Sequence, residues 1–253
     1  MRRLPRRLSY GEEATLVEHL EELRSRLIVC IAALVVAFPV AYIFHEQLID
    51  ALIRLAPDDT VIVTLGVAEP FTTALKVSFY ASLALTFPVV VWQAWSFFAP
   101  AVREHSQRIV ARFVVLATLL FAGGMTFAYF VLLPRALDFL TNYDEELYQT
   151  QVRASYFLSF VTLMIFATGL VFQLPIFVLA LVRLGVLTSA QLRANRRIGI
   201  VILLALAILL PTVDPVSLAL ETVPLLVLFE LSIWLSVIME RRWHAAEARL
   251  APE

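Results

Sequence analysis

The sequence predicts an all-α membrane protein of six transmembrane helices with both termini in the cytoplasm, and three observations predict it. Hydrophobic residues fill 60% of the 253 positions and charged residues only 16%, against about a quarter charged in a soluble domain. The mean hydropathy is +0.83. A chain of this size cannot bury that much apolar surface in its own core, so lipid is its solvent. The apolar residues are gathered into six runs, Leu27–Phe44, Ala74–Trp95, Phe113–Leu133, Tyr156–Val182, Ile198–Leu210 and Val216–Ile238. The arginines between these runs fall on alternating sides.

Residues 1–14 carry Arg2, Arg3, Arg6 and Arg7. They read as a retained cytoplasmic arm, because a polar helix-forming stretch follows and the next apolar run is long, with no small-residue cleavage site. Thr15-Leu-Val-Glu18 is a capping box that predicts a helix start, and Leu16, Leu20, Leu23 and Leu27 form one apolar stripe behind it. Glu22 and Arg26 stand i,i+4 in the favourable order. Two readings stay open here: an interfacial helix with solvated ion pairs, or a set of carboxylates at the membrane surface awaiting a basic ligand.

After span one an outer stretch, Glu46–Thr73, leads into span two. The loop that follows holds Trp92, Trp95, Phe97 and Phe98, which fit an aromatic belt at the interface, and Glu104, which fits a local ion pair among arginines. Span three ends at an acidic outer stretch, Pro134–Ser155, with Asp138, Asp144, Glu145 and Glu146. Span five, Ile198–Leu210, covers only roughly 20 Å at about 1.5 Å per residue, short of a ~30 Å hydrocarbon core. A tight turn at Pro211–Pro215 follows, then span six and a cytoplasmic tail at 243–253.

Charge parity decides the count. With the N-terminus inside, six spans place Arg2, Arg3, Arg6, Arg7, Arg24, Arg26, Arg103, Arg108, Arg112, Arg183, Arg193, Arg196, Arg197, Arg241, Arg242 and Arg249 in the cytoplasm, out of 20 basic residues. Only Arg54, Arg135 and Arg153 lie on the other face, with Lys76 near the outer end of span two. This is the positive-inside pattern, and five spans would put Arg241 and Arg242 on the wrong side. Prolines within or beside most spans remove backbone donors and kink helices. The expected architecture is a kinked, concave bundle with short helices five and six. The chain reads as one polytopic domain, 1–253, with its core at 15–242 and no internal repeat.

Three polar groups fall inside apolar runs: Gln173 in span four, and Glu230 and Glu221 in span six. A carboxylate at the bilayer centre costs roughly 2.5–3.5 kcal/mol on insertion scales, which makes an intramembrane acid a functional candidate; the plainer reading is a helix–helix hydrogen bond. The four histidines show no metal-ligand spacing, and the single Cys30 excludes an internal disulfide. There is no nucleophile–base motif and no Gly-rich phosphate loop, so neither enzyme activity nor a cofactor or metal is expected.

The ordered motifs resemble one family. His19-Leu-Glu-Glu-Leu-Arg24-Ser-Arg-Leu27 resembles an H-L-x-E-L-R-x-R-L signature, and Glu69-Pro-Phe71 an S-P-F. Pro88 through Pro100, with Gln93, Trp95 and Phe97, resembles P-x-x-x-x-Q-x-W-x-F-x-x-P. Phe127-Ala-Tyr-Phe130, Tyr156 to Phe160, Phe172-Gln-Leu-Pro175, Leu210 to Pro215 and Phe229-Glu230 continue the set in order. Together they resemble TatC, the C subunit of the twin-arginine translocase, from about Thr15 to Arg242.

The resemblance implies a subunit that binds twin-arginine signal peptides at its cytoplasmic face and takes part in export of folded proteins driven by the proton-motive force. It implies single-span TatA/TatB-type partners, self-association in a receptor complex, and a bacterial inner membrane. Carried over, Glu22, Arg24 and Phe97 belong to the recognition site. The family's loop glutamate falls at Ser106, with Glu104 two residues earlier. Gln173, Asp214 and Glu230 are the corresponding intramembrane or partner-docking positions. The rival reading, a small-solute secondary transporter, predicts an inverted repeat that the sequence does not show. A purely structural scaffold leaves Glu22 and Glu104 without a role.

Overall fold

A computed structural model describes residues 16–57, 60–98, 107–143, 151–210 and 214–250. Thr15 of the expected capping box, the acidic residues Asp144, Glu145 and Glu146, and most of the Pro211–Pro215 turn lie outside them. The first helix, α1 (Leu16–Ile43), is followed by a short amphipathic α2 (His45–Ile53). A three-residue strand β1 (Val61–Val63) precedes α3 (Glu69–Phe98). The third span is α4 (Gln107–Phe127), a π-helical turn (Ala128–Leu132) and α5 (Leu133–Thr141). Strand β2 (Gln151–Arg153) leads into α6 (Ala154–Val171) and α7 (Leu174–Arg183). A one-turn α8 (Ser189–Ala194), α9 (Arg196–Leu209) and α10 (Pro215–Leu250) complete the order.

Among the described residues, five stretches are long and apolar enough to cross a membrane: Leu20–Ile43, Glu69–Phe97, Ala111–Thr141, Ala154–Arg183 and Pro215–Arg241. As expected, α9 is short: its 14 residues give about 21 Å at 1.5 Å per residue. The expectation of a short sixth helix is corrected, because α10 runs for 36 residues. Good helix formers carry it beyond the apolar run, and Glu240 in that extension accepts the Ser189 N–H at 3.2 Å, fastening α10 to α8.

The prolines show how a helix passes a missing donor. The third span was expected to end at Leu133, yet α5 continues to Thr141. The wider π-helical turn immediately before Pro134 makes room for its ring against the preceding turn. The fourth span breaks instead. Phe172 and Gln173 turn with hydrogen bonds to Thr168 and Leu170 carbonyls, and Pro175 opens α7, where no donor is needed. At the far end of α7, Gly185 takes φ +72°. Val186 N–H bonds the Leu181 carbonyl and Gly185 N–H that of Val182, the paired closure that glycine's lack of a Cβ permits.

Glycines also set two close helix crossings. Gly124 of α4 and Gly169 of α6 face each other, and a Cβ on Gly124 would lie 2.9 Å from the Gly169 Cα. A Cβ on Gly199 of α9 would run into the Phe229 ring of α10. The main apolar core joins α3, the π-helical turn, α5 and α6 through Val77, Leu132, Leu133, Val161 and Met164. A smaller one joins α4 and α7 through Phe113, Ala117, Ile176 and Leu179.

The strands were not expected, since three residues give no alternation to read. They pair in parallel, Val61 with Gln151 and Val63 with Arg153. This ties the stretch before α3 to the stretch before α6. The buried Glu69 carboxylate completes the tie. Its Oε2 accepts Leu65 N–H at 2.9 Å and Gly66 N–H at 3.1 Å, and Oε1 accepts Ser155 N–H at 2.9 Å. Arg153 Nε donates to both oxygens at 3.1 Å, and its guanidinium lies over the Tyr156 ring at 5.4 Å.

Two outcomes follow. Glu69→Gln turns an amide NH2 toward backbone donors, and thermal unfolding in detergent should show a loss of about 2–3 kcal/mol, the cost of leaving buried donors unpaired. An unchanged midpoint would remove the carboxylate's role as a fastener. Gly199→Ala should cost about 1–3 kcal/mol by overpacking against Phe229, whereas Gly123→Ala, where nothing lies within 4 Å, should be neutral.

Candidate functional site

Glu22 lies in the second turn of α1, and helical spacing puts Arg26 one turn along on the same face. Their side chains are 26% and 21% exposed, so both are only partly in solvent. Arg26 Nε donates to Glu22 Oε1 at 3.1 Å and Nη2 to the same oxygen. The guanidinium then reaches across to α3. Nη2 donates to the Ser96 carbonyl at 3.0 Å, and Nη1 to both the Gln93 carbonyl and Gln93 Oε1 at 3.4 Å. The last turn of α3 has no basic residue of its own. Arg26 supplies, from another helix, the cation that a helix C-terminus favours.

Phe97 follows Ser96 directly and is half-buried. The structure thus brings Glu22, Arg26, Gln93, Ser96 and Phe97 to one junction. Arg24 is not among them; it is exposed on another face of α1. Glu104 and Ser106 lie outside the described residues. Trp95 stacks on Phe113 at 4.2 Å, so the α3 end and the α4 start that flank their loop are held together. Trp95 is therefore a packing residue, whereas Trp92 is exposed as an interfacial aromatic would be. Leu20, Leu23 and Leu27 of the expected stripe are exposed, as lipid-facing side chains are.

None of the intramembrane candidates reaches this junction; Asp214 and Glu221 lie within electrostatic reach of each other, whereas Gln173 and Glu230 have partners elsewhere. Gln173 opens the break in the fourth span, and its Nε2 donates to the Ala117 carbonyl of α4 at 2.9 Å. This is the helix–helix hydrogen bond of the plainer reading. Glu230 pairs with Arg196 at 3.3 Å. The shortness of α9 brings its first residue level with Glu230. Asp214 caps α10, accepting the Ser217 N–H at 2.7 Å with Oδ1. Glu221, 2% exposed, is buried with neither oxygen bonded among the described residues, and Asp214 Oδ2 is likewise unbonded. No cluster of three or more His, Cys, Asp or Glu that would hold a metal occurs among the described residues.

Sequence reasoning missed Gln93 and Ser96 as partners of Arg26, and Glu69 as a fastener. Glu69 had a signal: an acid before proline at the start of an apolar run suits a helix N-terminus. The α3 acceptors had none, since two of the three oxygens are backbone carbonyls.

What this junction can do is bind a guanidinium. It presents a carboxylate oxygen, two carbonyls and an amide oxygen around one planar cation, the acceptor set that an arginine side chain satisfies and an ammonium does not.

Comparison with known proteins gives one answer. Residues 18–224 match the family model described as Sec-independent protein translocase protein (TatC). The Sec-independent protein translocase protein TatC of Escherichia coli strain K12 is 36% identical over 90% of this chain and 90% of its own length. TatCd of Bacillus subtilis strain 168 is 33% identical over 95% of this chain and 98% of its own. The crystal structure of the twin arginine translocase receptor TatC in DDM superimposes with a TM-score of 0.78 at 32% identity, covering 86% of this chain and 99% of that one. With its family model, its relatives and its fold in agreement, the chain belongs to the TatC family of translocase subunits, multi-pass membrane proteins of protein transport.

Proposed function

We propose that this chain is the signal-peptide receptor of a twin-arginine translocase, binding arginine-bearing signal peptides at the cytoplasmic end of α1 and α3. The observation that carries the reading is the junction around Glu22. A partly exposed carboxylate stands beside the C-terminal carbonyls of α3, and this set of acceptors already accommodates a guanidinium. Charge-assisted hydrogen bonds to a carboxylate are the stronger ones, and partial burial limits their screening by salt. Phe97 borders the site, and Arg24, Glu104 and Ser106 extend it along α1 and the first cytoplasmic loop.

In this reading all six helices cross the membrane, α9 included, with both termini in the cytoplasm of a bacterial inner membrane. The short α9 thins the bilayer beside it, as hydrophobic mismatch does. Copies of the chain associate with one another and with single-span TatA/TatB-type subunits. Gln173, Asp214 and Glu230 serve partner docking in a transport cycle driven by the proton-motive force.

Cysteine labelling tests the topology. Cysteines at Asp58 and Glu145 should react from outside the cell, and those at Gly11, Ser106, Ala190 and Ala248 only after the membrane is opened. Outside labelling at Ala248 would leave α9 as a re-entrant segment. Site-specific photocrosslinking tests recognition. Glu22→Ala should cut crosslinking to a twin-arginine peptide roughly tenfold, the worth of a charge-assisted bond of about 1.5 kcal/mol, at unchanged protein level. Glu104→Ala should have a smaller effect. Undiminished crosslinking in both variants would move the site elsewhere. Gln173→Leu should insert normally yet weaken transport or partner docking, and full transport would leave only the bond to Ala117.

A further inference from the structure

The junction that would receive an arginine from outside is filled by one from within. We infer that Arg26 is an internal occupant of the guanidinium subsite, and that signal-peptide recognition proceeds by exchange of the Arg26 guanidinium for that of the peptide. This rests on the reading that Glu22 receives the peptide arginine.

Three observations support exchange over a permanent clasp. The first is coincidence of site: all the described polar contacts of Arg26 fall on Glu22 Oε1, Ser96 O, Gln93 O and Gln93 Oε1, the acceptors a bound arginine would use. The second is the strength of its hold. The two contacts to Gln93 are 3.4 Å, long for N–H···O bonds, so on the α3 side a single bond of ordinary length, to the Ser96 carbonyl at 3.0 Å, has to be given up on release. The third is access: Arg26 and Glu22 are both partly exposed, so an incoming side chain reaches the carboxylate while Arg26 swings out.

Exchange has a physical advantage. An empty acceptor cluster at the end of α3 would leave a partly buried carboxylate and helix-end carbonyls uncompensated, and Arg26 removes that cost in the resting protein. A guanidinium, with five donors in a fixed fork, can replace another on these acceptors, whereas a lysine ammonium recovers fewer of the bonds that Arg26 gives up. Arg26 lowers the apparent affinity of either ligand by the same factor, set by the fraction of time the subsite stands open.

The test uses the full chain in lipid nanodiscs, with a fluorescent synthetic signal peptide carrying Arg-Arg and a matched peptide carrying Lys-Lys. Wild type should prefer the Arg-Arg peptide; no preference would overturn the functional reading itself. Given that preference, Arg26→Gln should bind the Arg-Arg peptide about tenfold more tightly, roughly the worth of one charge-assisted hydrogen bond. The Lys-Lys peptide should gain by a similar factor, since the same occupant is removed for both, and the Arg-Arg preference should persist. The gain should vanish in Glu22→Gln/Arg26→Gln. Equal or weaker binding by Arg26→Gln, with the Arg-Arg preference intact in wild type, would overturn the exchange and leave Arg26 as a fixed clasp between α1 and α3. If Arg26→Gln does not fold, Arg26→Lys decides. It keeps a cation at the end of α3 but fewer bonds, so about threefold tighter binding is expected, and no gain overturns the proposal.

Discussion

Lipid supplies no hydrogen bonds, and most of what is irregular in this chain answers to that constraint. A proline in water loses one bond to the solvent's benefit; in hydrocarbon the freed carbonyl has to be accommodated by the protein. Pro134 is preceded by a π-helical turn, and Pro175 is placed at the opening turn of a new helix after a break. The two devices have different consequences. The first lets the third span run on to Thr141, and the second turns the fourth span at Phe172–Gln173. Gln173, at that break, spends its amide on a carbonyl of the neighbouring helix.

α3 occupies the centre of this arrangement, packed against α1, α4 and α6. Its two ends are fastened by opposite charges. At the N-terminus its own Glu69 gathers backbone donors from the preceding turn and from the start of α6, with Arg153. At the C-terminus the cation comes from α1. Both charges have the sign that the helix dipole favours. They differ in permanence. Glu69 is buried and its acceptors are used on every side, which suits a fixed joint. Glu22 and Arg26 are partly exposed and share a single carboxylate oxygen, which suits a contact that a ligand can enter.

Carboxylates in the apolar part of the chain show a similar division. Glu230 has a partner because α9 is too short to carry Arg196 past it. Asp214 has a partner on one oxygen because it caps α10. Glu221 has none among the described residues. Depth in the sequence of a span is thus a poor guide to whether an acid is paired, since the partner's position is set by the length of a different helix.

The sequence by itself determined that lipid is the solvent, where the apolar runs lie, that the fifth is short, and which family the motifs resemble. These are properties of composition, spacing and order, and each is carried by residues near one another in the chain. It also made the Glu22–Arg26 pair legible, because i,i+4 spacing on a helix is a local fact. Only the tertiary structure decided that Arg26 reaches Gln93 and Ser96, that Glu69 bridges to Ser155 and Arg153, that two three-residue strands pair, and that Gln173 and Glu230 are satisfied by different neighbours. In most of these one partner is a backbone carbonyl or N–H group, which every residue carries, so nothing in a side-chain pattern marks it until packing brings it within reach. In the ion pairs Glu69–Arg153 and Glu230–Arg196 both partners are side chains, but they are distant in sequence and only the packing of the helices sets them level.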